Sequence, residues 1–436
     1  MAEHIFYYFN SSPFSKAGGK NSSDISNLSV FLQSSKLSDL LKSRDFFSVR
    51  TPAATMTKKP IVIALYNFKG GVGKSTCCCN LAAVMAHEFK KRVLLIDADP
   101  QCNTTSSVFS EELSKTYTMD HEKTPDFLTP NLYEFMDQSV SHITLDASKV
   151  TDLADRIKPR SFKAGISHTD STCFVLPGSV DIIEFEYQYS AIASTVHSGR
   201  FVLAGAFYAI IKLVCEKKDI DYVFIDFGPS ASPMYLTWLS NCDYIIPPSF
   251  PDYFNVSSIK SLLTKILPLM LLKLAEFKEY QDAFFKQRND RGKRLSEGKL
   301  IEQVCHTPKG VFDDKDKTLY EYCKLSDRTP KLLPILMTKL SGDPAERPFI
   351  EAVKAVFKNP TKFKVPPEVL QMFSGQKPMV LEFLPDVGKL FQLAQSQHKI
   401  ISYSDVDDPT LIVKQEKFLM KFKELAAMII EQNTTI

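Results

Sequence analysis

The sequence lacks several features that would place it in common classes of protein. Its nine cysteines form no C-x-x-C pair, so their spacing does not support a zinc site, an iron–sulfur site or a disulfide framework. No uncharged run approaches the ~18 residues of a membrane span, and no signal-peptide pattern is expected near the N-terminus. The net charge is only +3, so any nucleic-acid contact must come from a local patch. These absences favour a globular protein of the reducing cytoplasm.

The length and composition that remain are those of an ordinary globular chain. It has 436 residues, of which 44% are hydrophobic and 24% charged, enough for a large core. We predict an N-terminal extension of unknown role over residues 1–57, followed by one domain over 58–430. Insertions are expected near 109–171 and 280–330. Each is predicted to contain its own helices, because structureless loops of that length are uncommon.

A glycine-rich loop with the sequence K-G-G-V-G-K-S-T, residues 69–76, is the most informative feature. It follows an apolar strand-like run (61–66) and precedes a helix-like run (77–86). Backbone N–H groups of such a loop turn around phosphate oxygens, and the helix N-terminus adds partial positive charge. Lys74 is predicted to reach the β- and γ-phosphates, and Ser75 to coordinate Mg²⁺. The predicted nucleotide-binding residues are Gly70, Gly71, Val72, Gly73, Lys74, Ser75 and Thr76.

Two further apolar runs end in carboxylates. The first, 93–101, reads V-L-L-I-D-A-D-P-Q and supplies Asp97 and Asp99. The second, 221–230, reads D-Y-V-F-I-D-F-G-P-S and supplies Asp226. Carboxylates at the ends of parallel strands face the crevice in which α/β sheets bind ligands. Taken alone, Asp97 and Asp99 could also be helix-capping or loop aspartates, and Asp226 could simply end a core strand.

Together the three motifs resemble the deviant Walker A, Walker A′ and Walker B motifs of the ParA/MinD class of ATPases. Phe68 stands where an ordinary P-loop has its first glycine, and Lys69 is an additional lysine at the loop entrance. In that family the entrance lysine reaches the partner's phosphates in a nucleotide-sandwich dimer. Two positions depart from the family pattern, and both put the local turns in doubt: Cys102 replaces a glycine, and Gly228 replaces a proline.

The resemblance implies a role for each site residue. Lys69, Lys74 and Asp99 would be catalytic, with Asp99 orienting or activating the attacking water. Ser75, Asp97 and Asp226 would hold Mg²⁺, directly or through its waters. The implied cofactors are ATP and Mg²⁺, and the implied reaction is Mg²⁺-dependent hydrolysis of ATP to ADP and phosphate.

The predicted fold is α/β, a mostly parallel, doubly wound sheet flanked by helices as in P-loop NTPases. The two insertions and the N-terminal extension are added to it. Further strands are expected at 174–179, 244–248, 332–337 and 383–385, and helices at 201–217, 256–267 and 411–430. An apolar run over 262–277 that contains Pro268 is expected to be a core helix with a kink.

Two charged segments allow more than one interpretation. Residues 286–299 carry six basic and two acidic side chains, which suits either a solvated basic loop or non-specific DNA contacts. The C-terminal segment places Phe418, Phe422, Leu425 and Ile429 on one helical stripe. That stripe suits either packing on the sheet or binding to a membrane surface, and packing is the more common case.

The predicted function is a ParA-type, nucleotide-dependent dimeric switch that positions or segregates DNA or another cargo. An ATP-dependent homodimer is the expected assembly, with non-specific DNA and an activating protein as candidate partners. A membrane is not expected to be a partner. The alternatives are a membrane-cycling, MinD-like positioning ATPase, and a nucleotide-switched interaction protein that acts through its insertions.

Overall fold

The computed structural model describes residues 59–108, 173–194, 201–296, 324–326, 328–373, 380–382, 384–397 and 399–434, with short stretches at 128–129, 132 and 160–161. All of them belong to one unit of the chain, Phe47–Ile436. The predicted N-terminal extension lies outside the described residues, as does most of the insertion predicted near 109–171. The boundaries predicted for these segments therefore stay predictions.

A mostly parallel sheet forms the centre of the domain, as predicted. The strands are β1 (Ile61–Leu65), β2 (Val93–Ala98), β3 (Arg160–Ser161), β4 (Cys173–Leu176), β5 (Tyr222–Phe227), β6 (Tyr244–Ile246), β7 (Pro248–Ser249), β8 (Lys331–Leu332), β9 (Ile335–Met337) and β10 (Val380–Glu382). Seven of them pair in the order β3-β4-β2-β5-β1-β6-β8. The edge strand β3, which the sequence did not predict, is antiparallel to β4. The order extends in both directions from β1, which makes the sheet doubly wound.

Helices cover both faces of this sheet. They are α1 (Lys74–His87), α2 (Asn103–Val108), α3 (Ile182–Ser194), α4 (Phe201–Lys218), α5 (Pro233–Ser240), α6 (Tyr253–Ser261), α7 (Leu267–Ser296), α8 (Arg347–Lys358), α9 (Pro367–Gln371), α10 (Gly388–Ser396) and α11 (Pro409–Thr434). Alternate residues of β1 enter two separate cores: Val62 and Ala64 face α3–α8, whereas Ile63 and Leu65 face α1, α10 and α11. Burial on both faces explains why the strands read as continuous apolar runs.

Two of the predicted strands are divided by proline. The run predicted at 244–248 forms β6 and β7 on either side of Pro247, and the run at 332–337 forms β8 and β9 around Pro334. The second half of each run belongs to a three-stranded parallel sheet of order β10-β9-β7. Proline cannot donate to a strand ladder, so the chain bends at these points. The bend brings the residues after β9 alongside the glycine loop.

The predicted kink at Pro268 takes the form of a π-helical turn. Residues Leu262–Ile266 form this turn between α6 and α7, and the N–H of Leu267 bonds to the carbonyl of Leu262. Pro268 has no N–H, and its ring would clash with the carbonyl four residues earlier in a regular α-helix. The wider turn removes that clash. Helix α7 then continues to Ser296, so the predicted basic segment 286–299 is helical up to that residue and is not a loop there.

The C-terminal helix packs on the sheet and does not offer its apolar stripe to solvent. Phe418, Phe422 and Ile429 are 0% exposed, and Leu425 is 2% exposed. The stripe lies in the core that also contains α1 and α10. Of the two interpretations left open by the sequence, the structure supports core packing. Among the helices that the structure describes, none combines the length and apolarity needed to cross a bilayer.

Candidate functional site

The glycine loop turns between β1 and α1 through two left-handed backbone positions. Gly71 has φ 74° and Gly73 has φ 85°, values that a side chain makes costly. Gly73 immediately precedes α1, and its carbonyl accepts the N–H of Cys77 at 2.9 Å. The loop therefore leads directly into a helix N-terminus, the arrangement that binds phosphate. Thr76 and Ser75 lie in the first turn of α1, as predicted.

Lys74 is held inside this loop. Its side chain is 6% exposed, and Nζ donates to the carbonyl oxygen of Lys69 at 3.1 Å. Burial lowers the pKa of Lys74 because it disfavours the ammonium, while the charges of Asp226 and Asp99 act in the opposite direction. A bound phosphate would supply the additional negative charge that favours the ammonium.

Lys69 at the loop entrance contacts the first turn of α6. Its Nζ lies 4.8 Å from the centroid of the Phe254 ring, a cation–π contact. Its backbone N–H donates to Oδ1 of Asn67 at 3.1 Å. The buried Asn67 also accepts from Ser258 and donates to the carbonyl of Pro248. Asn67 thus ties the loop entrance to β7 and α6, a role that the sequence analysis missed because nothing in the motif marks it.

Asp97 and Asp226 lie opposite each other on neighbouring strands β2 and β5. Both are fully buried. Oδ2 of Asp97 accepts the N–H and the hydroxyl of Thr105, both at 2.7 Å, and Oδ2 of Asp226 accepts the hydroxyl of Thr104 at 2.7 Å. Burial and the mutual repulsion of the carboxylates raise the pKa of Asp97 to about 8. Burial is also the main cause that raises the pKa of Asp226, to about 6.

Asp99 follows these two carboxylates on the loop after β2. It is 4% exposed and lines the same pocket as the glycine loop. Its N–H donates to Oδ1 of Asp97 at 3.2 Å, and its own Oδ1 accepts the N–H of Gln101 at 2.9 Å. Cys102 in this turn has φ 53°, the left-handed conformation that suits the family's glycine. The turn therefore keeps a glycine-like backbone despite the substitution.

The structure gives a steric reason for glycine at position 228. A Cβ at this position would lie 3.0 Å from Cδ of Pro100, 3.1 Å from the hydroxyl of Tyr235 and 3.4 Å from Oδ1 of Asp99. The turn after β5 therefore packs directly on the turn that carries Asp99. The hydroxyl of Tyr235 donates to the carbonyl of Ala98 at 2.7 Å and joins the same two turns.

The residues that follow β9 contact the glycine loop and hold it in place. Oγ1 of Thr338 lies 2.9 Å from the carbonyl oxygen of Val72, and Nζ of Lys339 donates to the carbonyl of Gly71 at 2.9 Å. Lys339 has φ 55°, an uncommon conformation for a residue with a side chain. The sequence analysis missed these residues because the bent strand brings them to the loop from 266 positions away.

These elements enclose one open cavity of about 760 Å³. Its phosphate end is lined by the glycine loop, Lys74, Ser75 and Asp99, and its other end by residues 384–388 and by α10. Ligand pockets commonly have volumes of ~300–1,000 Å³, so a nucleotide fits this space. The position of the cavity, at the carboxyl ends of the strands, is that of ligand sites in open α/β sheets.

The residues around Asp226 suit a magnesium ion. Oδ1 of Asp226 is buried and has no hydrogen-bond partner among the described residues. Ser75 hydrogen-bonds to the Asp226 side chain, so a hydroxyl and a carboxylate already adjoin. Mg²⁺ in nucleotide sites usually keeps several waters and takes one or two protein oxygens besides the phosphates. No compact cluster of three or more His, Cys, Asp or Glu ligands occurs in the described part of the chain.

The fold and the site define a P-loop nucleotide-binding protein with an additional lysine at the loop entrance. Residues 60–271 match the family model described as AAA domain. The sporulation initiation inhibitor protein Soj of Bacillus subtilis is 28% identical over 205 residues, which cover 47% of this chain and 64% of that protein. The chromosome-partitioning ATPase Soj of Thermus thermophilus is 28% identical over 204 residues, covering 47% of this chain and 60% of that protein. Over residues 60–271 the chain is thus similar to P-loop ATPases of the ParA/MinD type.

The match spans less than two thirds of the length of these relatives. Among solved structures, pNOB8 ParA bound to nonspecific DNA is similar at a TM-score of 0.45 and 16% identity, covering 86% of this chain and 99% of that chain.

Proposed function

We propose that this protein hydrolyses ATP to ADP and phosphate and uses the nucleotide to switch a ParA-type positioning machine. The observation that carries the proposal is the junction of the glycine loop with the three carboxylates Asp97, Asp99 and Asp226. A phosphate cradle supplies binding, and carboxylates beside it supply the metal site and a contact for water. The names of the two Soj relatives, one a chromosome-partitioning ATPase, support the positioning role.

Each side chain has a distinct task in this reaction. Lys74 leaves the Lys69 carbonyl to bind the phosphates, where each charge-assisted hydrogen bond stabilises by roughly 1.5–3 kcal/mol. Ser75 and Asp226 would hold Mg²⁺, with Asp97 near its waters, and the bound ion would neutralise charge on the phosphates. Asp99 accepts a hydrogen bond from the attacking water and orients it. Catalysis consists of positioning and charge stabilisation, with no covalent intermediate on the protein.

Lys69 is assigned to an ATP-dependent homodimer. An ordinary P-loop has no need of a lysine at its entrance, whereas a dimer that brings two phosphate tails together must compensate their charge. In the described structure Lys69 rests on the partly exposed Phe254, at the surface of the molecule. From there its ammonium is free to extend toward a second copy.

Lys69→Ala is the experiment that tests this function. The variant should still bind ATP as a monomer, because Lys74 and the loop N–H groups remain, but it should lose dimerisation and most turnover. Sedimentation with a non-hydrolysable ATP analogue measures the assembly, and Lys414→Ala, an exposed lysine on α11, is the control. Normal dimerisation of Lys69→Ala would leave only a generic P-loop ATPase.

A DNA cargo is favoured by a basic surface around α8. Residues 347–364 contain five basic side chains and one acidic side chain, Glu351. Arg347, Lys358, Lys362 and Lys364 are exposed, while the buried residues of α8 face the core. Glu351 pairs with Lys354 at 3.0 Å and lies 3.8 Å from Lys358, so the remaining positive charge concentrates at the end of the helix. Such a surface binds phosphate backbones without reading sequence.

Retention on non-specific DNA at several salt concentrations tests this cargo. The double variant Lys362→Glu/Lys364→Glu should weaken ATP-dependent retention and flatten its salt dependence by about one unit of log–log slope per lost phosphate contact. Lys414→Glu/Lys417→Glu on α11 changes the net charge equally on the other face of the sheet and should leave retention unchanged. Equal losses in both variants would show a general charge effect. An activating partner protein stays a prediction.

A further inference from the structure

An exposed apolar patch lies at the start of α3 and in the turn before it. Val180, Ile183 and Tyr187 are 47%, 55% and 77% exposed, and we call them the α3 patch. Val180 lies in the turn that precedes the helix, and Ile183 and Tyr187 lie four residues apart on one side of α3. The same helix buries Phe185 and Tyr189 on its opposite side. The α3 patch is therefore separate from the buried face by which the helix packs on the core.

A second exposed patch begins α6. Tyr253 and Phe254 are 72% and 67% exposed, and their rings meet edge to face at 5.8 Å; we call them the α6 patch. The ring of Phe254 also makes a cation–π contact with the ammonium of Lys69. Among the described residues, eight large apolar side chains are exposed, and five of them belong to these two patches. Isolated exposed apolar residues are normal on a protein surface, whereas such clustering marks an interaction site.

The two patches flank the mouth of the nucleotide site. Helix α3 follows β4 and helix α6 follows β7, so both begin at the carboxyl edge of the strands, on the same face of the sheet. Strand β1, which leads to the glycine loop, lies between β4 and β6 in the strand order, and β6 continues through Pro247 into β7. Four strand intervals separate β4 from β6, so these two strands are roughly 19 Å apart.

The charges beside the two patches differ in sign. Asp181 and Glu184 adjoin the α3 patch, whereas Lys69 lies on the α6 patch, and Asp252 beside it is used to cap α6. Pairing of two α3 patches would bring acidic groups of both copies together. Pairing of the α3 patch with the α6 patch avoids this repulsion, because Asp252 is engaged as the cap of α6 and Lys69 adds no negative charge.

We propose that the α3 patch of one copy packs on the α6 patch of a second copy when two nucleotide sites face each other. The proposal rests on the ATP-dependent dimer of the proposed function and names its apolar contacts. In a two-fold dimer a contact between unlike patches occurs twice, once on each side of the axis. The paired nucleotide sites lie between the two contacts, which exclude water from them.

Cysteine cross-linking tests the pairing directly. Tyr187→Cys and Tyr253→Cys are made as separate proteins, incubated with Mg²⁺ and a non-hydrolysable ATP analogue, and oxidised alone or mixed. A disulfide-linked dimer is expected in the mixture and not in either variant alone. The parent protein is the control for native cysteines; the seven that the structure describes are all buried. Linkage of either variant with itself, or none in the mixture while the dimer forms, overturns the pairing.

Serine variants give an independent measurement of the same contacts. Tyr187→Ser and Tyr253→Ser should each raise the dissociation constant of the analogue-bound dimer at least about tenfold, since each removes two aromatic contacts per dimer. Val413→Ser and Met420→Ser, at exposed positions on α11, should leave it unchanged. If the parent dimerises and the tyrosine variants dimerise equally well, the patch inference alone is wrong. If the parent binds the analogue but stays monomeric, the dimer of the proposed function is wrong as well.

Discussion

At the scale of single residues, burial disfavours the ionised forms of the two carboxylates at the ends of β2 and β5. Asp97 and Asp226 are buried side by side, and the pKa of each is raised, to about 8 and about 6. An unfolded aspartate has a pKa of ~3.9, so the folded protein binds more protons across this window. The contribution of these two groups to the free energy of unfolding is therefore greatest at low pH, and it falls as the pH rises toward 8.

Asp226→Asn should reduce the loss of stability with rising pH in the metal-free protein. Its amide oxygen can accept from Thr104 and its nitrogen can replace the unpartnered Oδ1, so one buried charge disappears. The melting temperature of the variant relative to the parent should rise between pH 5 and pH 8.5, while Mg²⁺-dependent turnover is lost. Melting curves in EDTA at both pH values measure the effect. A variant that loses stability with pH as steeply as the parent would contradict it.

At the scale of secondary-structure elements, α11 is a structural part of the core. Its buried stripe packs on the α1 side of the sheet, and Phe418 and Phe422 contact each other at a ring separation of 4.9 Å. The family resemblance left a membrane role open for this segment. Burial decides against it for the described state, because exposing the stripe would remove a whole layer of the core from its contacts.

Phe418→Ala should lower the free energy of unfolding by about 3–5 kcal/mol, the range for removing a buried phenylalanine. Met420→Ala on the exposed side of the same helix, where the methionine is 60% exposed, should change it by no more than about 0.5 kcal/mol. Urea unfolding measures both values. Similar effects of the two substitutions would mean that α11 is not packed as described.

At the scale of the whole molecule, the cavity proposed to bind the nucleotide is formed by segments far apart in the sequence. It is lined by the glycine loop on one side and by residues 384–388 and α10 on the other. A ligand that binds only the folded protein stabilises it, by ~2.7 kcal/mol at a concentration one hundred times its dissociation constant. Stabilisation by ATP is thus a measure of the site that does not depend on turnover.

Lys74→Ala should abolish both the thermal stabilisation by ATP–Mg²⁺ and the hydrolysis of ATP. The removed ammonium faces the phosphates in a poorly solvated loop, where its charge-assisted bonds are strong. Thermal shift with and without ATP–Mg²⁺ measures binding, and Lys414→Ala serves as the control on an exposed lysine. An unchanged shift and turnover in Lys74→Ala would refute the assignment of the site.

The glycine loop, the strand-terminal carboxylates and the α/β class were determined by local sequence. Glycines at Gly71 and Gly73 permit positive φ, and apolar runs buried on both faces specify parallel strands, so these features follow from short segments. The C-terminal helix was likewise visible as a stripe. The element that covers that stripe could not be identified from the sequence, because periodicity reveals an apolar face without revealing its partner.

Only the tertiary structure decided which distant residues complete the site. Asn67 meets Ser258, Thr338 meets Val72, and Gly228 meets Asp99, each through the bend or pairing of strands far apart in sequence. The prolines that divide two strands are visible in the sequence. The position of the second half of each strand in the fold is not. Contacts of this kind depend on how the sheet closes around the loop, which is a property of the packed molecule and not of any segment.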